Sequence, residues 1–159
     1  MTMLERIRKS TEIRHWLGHM ETGGYHYTVG VAGEKFFTAL RDEGRILGAR
    51  CERCGITYVP PRIYCERCFA ELNDFVDVGL RGRVRTFTVA RIDKDGNRLE
   101  RPEIRALISF GEDTTSLLHL LGEVDPEEVY IGMEVEAVLK PKEEREGKIT
   151  DISYFKPVS

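Results

Sequence analysis

A mainly β chain with N-terminal helices is predicted by three features of the sequence. All four cysteines fall in two CxxC pairs, Cys51/Cys54 and Cys65/Cys68, with ten residues between the pairs. From Val76 onward the apolar residues recur with a period of two, the signature of half-buried strands. Ahead of the first cysteine, the apolar spacing is helical instead. Together these features give a rubredoxin-like zinc ribbon followed by a five-stranded OB-fold barrel. The expected units are a helical segment over residues 1–45, the ribbon over 46–75 and the barrel over 76–159.

The helical segment opens with an amphipathic stretch over residues 1–22. Ile13, Trp16, Leu17 and Met20 follow i, i+3, i+4, i+7 spacing, and Gly23-Gly24 ends the pattern. Such a helix has no core of its own and must dock on this protein or on a partner, with Trp16 as its largest apolar group. Residues 25–33 read as a short extended stretch. Gly33–Arg41 reads as a second helix, with Phe36, Phe37 and Leu40 on one side and Gly44 as its stop.

The cysteine hooks come next. Each CxxC loop can place two thiolates on one metal, and two hooks close a tetrahedral shell. A closed four-thiolate shell leaves no position for water, so the ion should hold structure and not do chemistry. Zinc is the expected metal at Cys51, Cys54, Cys65 and Cys68, and iron is the alternative occupant of the same shell. Gly55 follows the first hook, where a tight knuckle calls for positive φ. Between the hooks, Thr57–Val59 reads as a strand that Pro60-Pro61 turns back. Tyr58, Val59, Ile63 and Tyr64 are expected to shield the thiolates, and Arg62 to hydrogen-bond locally.

The barrel strands are expected at Gly82–Ile92, Ala106–Phe110, Leu117–Val124, Met133–Leu139 and Ile149–Phe155. Asp95-Gly96-Asn97 separates the first two. Asp125-Pro126-Glu127-Glu128-Val129 reads as a capped helical turn after the third, with proline at its first helical position. Five strands with a short helical piece after the third is the plan of an OB barrel.

Composition narrows the function. No run of about eighteen apolar residues exists to span a membrane. The charged first twenty residues exclude a signal-peptide core, and reduced, metal-binding cysteines point to the cytoplasm. Charged residues make up 32%, glutamine is absent, and Asn73 and Asn97 are the only asparagines, a balance that leans towards a thermophile. The net charge is −3, and four thiolates with one Zn²⁺ take it to −5, whereas a general nucleic-acid binder carries a basic surplus. The charge is uneven. Residues 81–105 hold eight bases against four acids, and residues 112–151 hold twelve acids against four bases. The simplest reading is two solvated faces; the sharper one is a basic strand that meets a phosphate-bearing ligand.

No catalytic constellation emerges from the sequence. The cysteines are committed to metal, and no serine sits in a glycine-framed elbow. His15 and His19 are one helical turn apart but lack the H-E-x-x-H order, so they read as surface residues. His119 reads as a satisfied core or sheet-face histidine. Glu143, Glu144, Glu146 and Asp151 read as a solvated loop. The chain is expected not to be an enzyme.

The order of these parts resembles a known family. The stretch YHYTVGVAGEKFFTALRDEGRILGARCERCGITYVPPRIYCERCF, then a barrel closing with IGMEVEAVL and SYFKPV, is similar to the zinc-ribbon plus OB-fold family of acyl-CoA-associated proteins. Those proteins long carried a domain-of-unknown-function label. The most specific parts are the cysteine quartet with Pro60-Pro61-Arg62 between its hooks and the Gly132-Met133-x-Val135 entry to a late strand. The resemblance implies a non-catalytic scaffold beside thiolase-type enzymes. It is similar to the archaeal subunit that bridges acetoacetyl-CoA thiolase and hydroxymethylglutaryl-CoA synthase in the mevalonate pathway to isoprenoid precursors. CoA carries phosphates, so Arg83, Arg85 and Arg91 are the candidate contacts. The alternative is a single-stranded nucleic-acid binder, with Phe87 as a stacking residue beside those arginines.

Overall fold

The computed structural model describes residues 28–93 and 95–158. The amphipathic stretch over 1–22 lies outside the described residues. Among them, no helix is long and apolar enough to cross a membrane.

The first described element is helix α1, Gly30–Asp42. It buries Ala32, Phe36, Ala39 and Leu40, which repeat at helical spacing. The helix starts three residues earlier than expected. Gly30 turns the chain into it at φ +67, and a Cβ on Gly33 would lie 2.9 Å from the Cβ of Val29. Gly30, expected in an extended stretch, thus serves a tight helix entry together with Gly33. Gly44, at φ +68, does end the helix.

The ribbon is a three-stranded antiparallel sheet. Its strands are β1 (Leu47–Arg50), β2 (Thr57–Tyr58) and β3 (Asp74–Asp77), with β1 in the centre. Ala49 pairs with Tyr58 on one side and with Phe75 on the other. Strands β1 and β3 are absent from the sequence reading. Gly48 and Ala49 weaken the pattern of one, and aspartates bound the other, residues that strands disfavour. Gly48 is required by packing, since a Cβ there would meet Thr57 Cγ2 at 2.6 Å.

The barrel strands are β4 (Arg81–Ile92), β5 (Arg98–Ser109), β6 (Ser116–Leu121), β7 (Glu134–Leu139) and β8 (Ile152–Pro157). They close in the order β4-β5-β6-β8-β7, with β7 returning to β4. Only the β6–β8 pair is parallel, joined at Leu121 and Phe155. The buried face of each strand feeds one core, which includes Val84, Ala106, Ile108, Leu117, Val135, Ile152 and Phe155. Phe36 and Leu40 of α1, with Ile46 and Val59 from either side of the first hook, enter the same core.

Several strand ends differ from expectation. Strand β5 begins at Arg98 and not at Ala106 because β4 offers it a ladder out to the Ile92–Arg98 pair, across charged residues with no apolar signal. Strand β6 covers β5 only from Ile104, so the distal part of the β4–β5 hairpin is a two-stranded arm. At the arm's tip, Asp93 Oδ1 accepts from the backbone N–H of Asp95 and of Asn97. Strand β6 stops at Leu121, where Gly122 turns its N–H to the Phe155 carbonyl at 2.9 Å. Residues 125–129 form a single hydrogen-bonded turn, with Asp125 Oδ1 accepting from Glu127 N–H at 3.0 Å. Strand β8 begins only at Ile152, after a 3-10 turn over Ile149–Asp151.

That turn changes the role of one residue. Asp151 belongs to no solvated loop; it is fully buried. Its carboxylate accepts from the backbone N–H groups of Glu146, Gly147 and Lys148 at 3.0, 2.7 and 3.1 Å. Burial pushes its pKa up, and the three donors outweigh burial and hold it below the ordinary carboxylate value. A carboxyl group depressed on folding adds stability that is complete above its unfolded value, near 4, and is lost as pH falls through the lower folded value. Asp151→Asn should therefore cost about 1–3 kcal/mol at neutral pH. It should also flatten the acid limb of the stability–pH curve below about pH 4. Urea titrations of both proteins across that range test this; parallel acid limbs would show the carboxylate to be inert.

His119 lies on β6 with its ring 5.7 Å from that of Phe155. Its Nε2 is 3.4 Å from the Ile149 carbonyl, and its buried Nδ1 has no partner among the described residues. Only one of its nitrogens is satisfied. Burial lowers its pKa, which favours the neutral ring.

Candidate metal centre

Two knuckles present the thiols. In the first, Gly55 N–H donates to the Cys51 carbonyl and Cys51 N–H to Ile56, both at 2.8 Å, with Gly55 at φ +71. The second repeats the plan: Phe69 N–H donates to the Cys65 carbonyl and Cys65 N–H to Ala70, both at 2.9 Å. These tight turns aim all four sulfurs inward, within 4.8 Å of one another.

The spacing tests the fit to a metal. Cys51 and Cys68 Sγ are 3.6 Å apart, and Cys54 and Cys65 Sγ 3.9 Å apart. A zinc tetrahedron with Zn–S bonds of about 2.3 Å has edges of about 3.8 Å. A disulfide would need about 2.05 Å, and all four cysteines are free. The electrostatics agree with the geometry. The buried Tyr58 hydroxyl lies 3.2 Å from Cys65 Sγ and brings that thiol down to about 6. The neighbouring thiol of Cys68, with burial, pushes Cys54 up to about 12. Four thiolates this close repel one another unless a cation sits among them, and a divalent ion removes the conflict.

The surroundings only partly match expectation. Tyr58 does cover the sulfurs, joined by Ala49 and Leu72 and by the half-buried Ile56 and Phe75. Val59 turns away into the barrel core. Ile63 and Tyr64 point outward, 47% and 55% exposed. Being apolar and lying between the hooks does not suffice to turn a side chain towards the sulfurs. Arg62 has the local role expected, 2.8 Å from Glu66 and over the Tyr58 ring at 5.4 Å.

A second feature lies on the barrel. A cleft of about 680 Å³ opens between the starts of β4 and β7, over a floor that includes Val84, Phe110 and Ile131. Arg81, Arg83 and Arg85 line it; Arg81 and Arg83 share a face of β4 by strand alternation, and Arg85 stands where the register with β5 shifts between Val84 and Thr86. Arg83 meets Glu134 at 2.5 Å and Arg81 meets Glu136 at 3.6 Å. Arg91 does not line this cleft. It lies eight residues along the strand from Arg83, about 26 Å away, and meets Glu127 at 3.4 Å. The sequence reading passed over Arg81, although its i, i+2, i+4 alignment with Arg83 and Arg85 was visible.

Known proteins match this arrangement. Residues 38–74 match the model of the ChsH2 rubredoxin-like zinc ribbon domain, and residues 75–140 that of the ChsH2 C-terminal OB-fold domain. A DUF35 domain-containing scaffold protein of Methanocaldococcus jannaschii is 32% identical over 75% of this chain and 86% of its own length. One from Pyrococcus furiosus is 29% identical over 78% and 91%. Among solved structures, a DUF35-family protein of unknown function from Sulfolobus solfataricus is 34% identical, with a TM-score of 0.59 over 72% of this chain and 81% of that one. An Ltp2-ChsH2(DUF35) aldolase shares the fold at 23% identity, with a TM-score of 0.57 over 83% of this chain and 98% of that one. The described barrel, the zinc ribbon with its four gathered thiols and these relatives agree: the chain belongs to the DUF35 family of zinc-ribbon and OB-fold scaffold proteins.

Proposed function

We propose that this chain is a non-catalytic scaffold that holds an acetoacetyl-CoA thiolase beside a hydroxymethylglutaryl-CoA synthase, with its basic cleft facing the CoA ester. One observation carries the scaffold reading. Relatives matched over 86% and 91% of their own lengths are named scaffold proteins. The Ltp2-ChsH2(DUF35) aldolase supports it, as a chain of this fold named together with an enzyme. Holding the two enzymes together would let the synthase draw an unfavourable condensation forward.

The cleft supports the CoA part. Three arginines over an apolar floor suit a ligand with phosphates at one end and an apolar arm at the other. Arg85 has no ion pair among the described residues, and Arg83 must share its charge with Glu134. The double substitution Arg83→Ala/Arg85→Ala should weaken acetoacetyl-CoA binding roughly tenfold in calorimetry. The fold should be untouched, since both side chains are exposed. Arg91→Ala should do less, because Arg91 stands outside the cleft. Equal affinity in all variants would make the arginines a solvated face. Against the nucleic-acid alternative, Phe87 packs on the barrel core instead of offering a stacking face.

Native purification of the tagged chain in high salt tests the scaffold itself. A thiolase and a synthase retained in fixed ratio are expected. Nucleic acid that salt strips away, with neither enzyme, would defeat the reading.

A further inference from the structure

The two knuckles, CERCGI and CERCFA, are built alike but differ after the second cysteine. The residue after the second cysteine is Gly55 in the first, at φ +71, and Phe69 in the second, at φ +57. This left-handed conformation suits glycine and is a genuine outlier for a bulky side chain. Among the described residues the ring gains no place in a core. Phe69 belongs to neither apolar cluster. At 80% exposure, it is the most exposed large hydrophobic among the described residues. Ile63 and Tyr64 are exposed on the same small hairpin, which Leu72 N–H closes onto the Ile63 carbonyl at 2.8 Å. Strain held in a side chain that adds nothing to the described core points outward, to a function.

We propose that Phe69 is the anchor by which the zinc ribbon docks into an apolar pocket on a folded enzyme partner. The knuckle's charge selects that occupant. Arg62 and Arg67 balance Glu66 and Glu71, and the ring projects from a metal centre that carries −2 when four thiolates hold one Zn²⁺. Such a surface offers no attraction to a phosphate backbone or an anionic membrane. It suits an apolar pocket with a neutral or basic rim, into which one rigid aromatic group inserts. The inference rests on the scaffold reading and adds to it which residue makes the contact.

The test uses the zinc-loaded chain, purified acetoacetyl-CoA thiolase and hydroxymethylglutaryl-CoA synthase from the same organism, and a labelled single-stranded oligonucleotide. Phe69→Gly removes the ring and relieves the backbone, so it should melt about 2–4 °C higher than the parent. It should bind one of the two enzymes at least ~30-fold more weakly. Phe69→Asn, which tolerates the left-handed conformation, should lose affinity to the same extent. If the parent binds an enzyme and both variants bind it equally well, Phe69 is no anchor and the scaffold reading stands. If the parent binds neither enzyme, the scaffold reading fails and takes this inference with it. Ring-dependent binding of the oligonucleotide would overturn the choice of partner.

Discussion

Stripping the zinc should unfold the ribbon and leave the barrel standing. The ribbon's own buried cluster is Ala49, Cys51, Tyr58, Cys65 and Leu72, so two of its members are the sulfurs themselves. Without the ion these become buried, crowded thiols, and little apolar area remains to offset chain entropy. Structural zinc in small fingers contributes about 10–16 kcal/mol of apparent folding free energy at neutral pH. That is as large as the whole stability of an ordinary domain, about 5–15 kcal/mol. Cys65→Ser should act like a chelator, because it removes the thiolate that the Tyr58 hydroxyl supports. Amide NMR during a chelator titration would show it: ribbon resonances from residues 47–77 collapse while those of β5 to β8 keep their dispersion. Loss of both sets together would show that the barrel depends on the metal too.

Phe155→Ala should bring the barrel close to its limit of stability. Phe155 is fully buried. Its ring meets those of Phe110 and His119 at centroid distances of 6.2 and 5.7 Å. It stands at the parallel β6–β8 junction, where one residue pair closes the barrel. Truncation removes the ring's transfer free energy and leaves a cavity that strands on both sides hold open, for about 3–5 kcal/mol. The loss should also speed hydrogen exchange at Gly122, whose N–H bonds the Phe155 carbonyl. Denaturant melts give the magnitude, and Phe155→Leu should cost clearly less. A loss under about 1 kcal/mol would mean that the core collapses around the gap.

The metal centre was the most legible part of the sequence, because its geometry is written in spacing alone. The hooks, the positive φ of Gly55 and the local pairing of Arg62 all follow from a few adjacent residues. The barrel was legible wherever one face is buried: Val84, Val135 and Ala137 alternate with outward groups and are buried as read. What remained hidden depends on partners distant in sequence. Residues 98–103 of β5 have no apolar pattern and are a strand only because β4 lies beside them. Asp151 looked like one acid among four, and only the loop over 146–148 folding onto it makes it structural. Phe69 carries no sequence signal beyond being apolar after a hook. Its strain is visible only once the knuckle is closed.

The ribbon and the barrel are separate segments in sequence, and hydrogen bonds stitch them along one seam. Thr57 N–H donates to the Asp113 carbonyl at 2.8 Å, and Thr115 N–H donates back to Thr57 at 2.9 Å. The Thr115 hydroxyl also takes the Val59 N–H at 2.7 Å. The seam thus joins a strand of one unit to a loop that lies beyond two strands of the other. A ribbon excised at residue 74 and grafted onto a foreign barrel would leave behind the half of the stitch it needs. New combinations of these modules should therefore succeed when the 111–115 loop travels with its ribbon. Within a lineage, that loop and the Thr57–Val59 segment should change together or not at all.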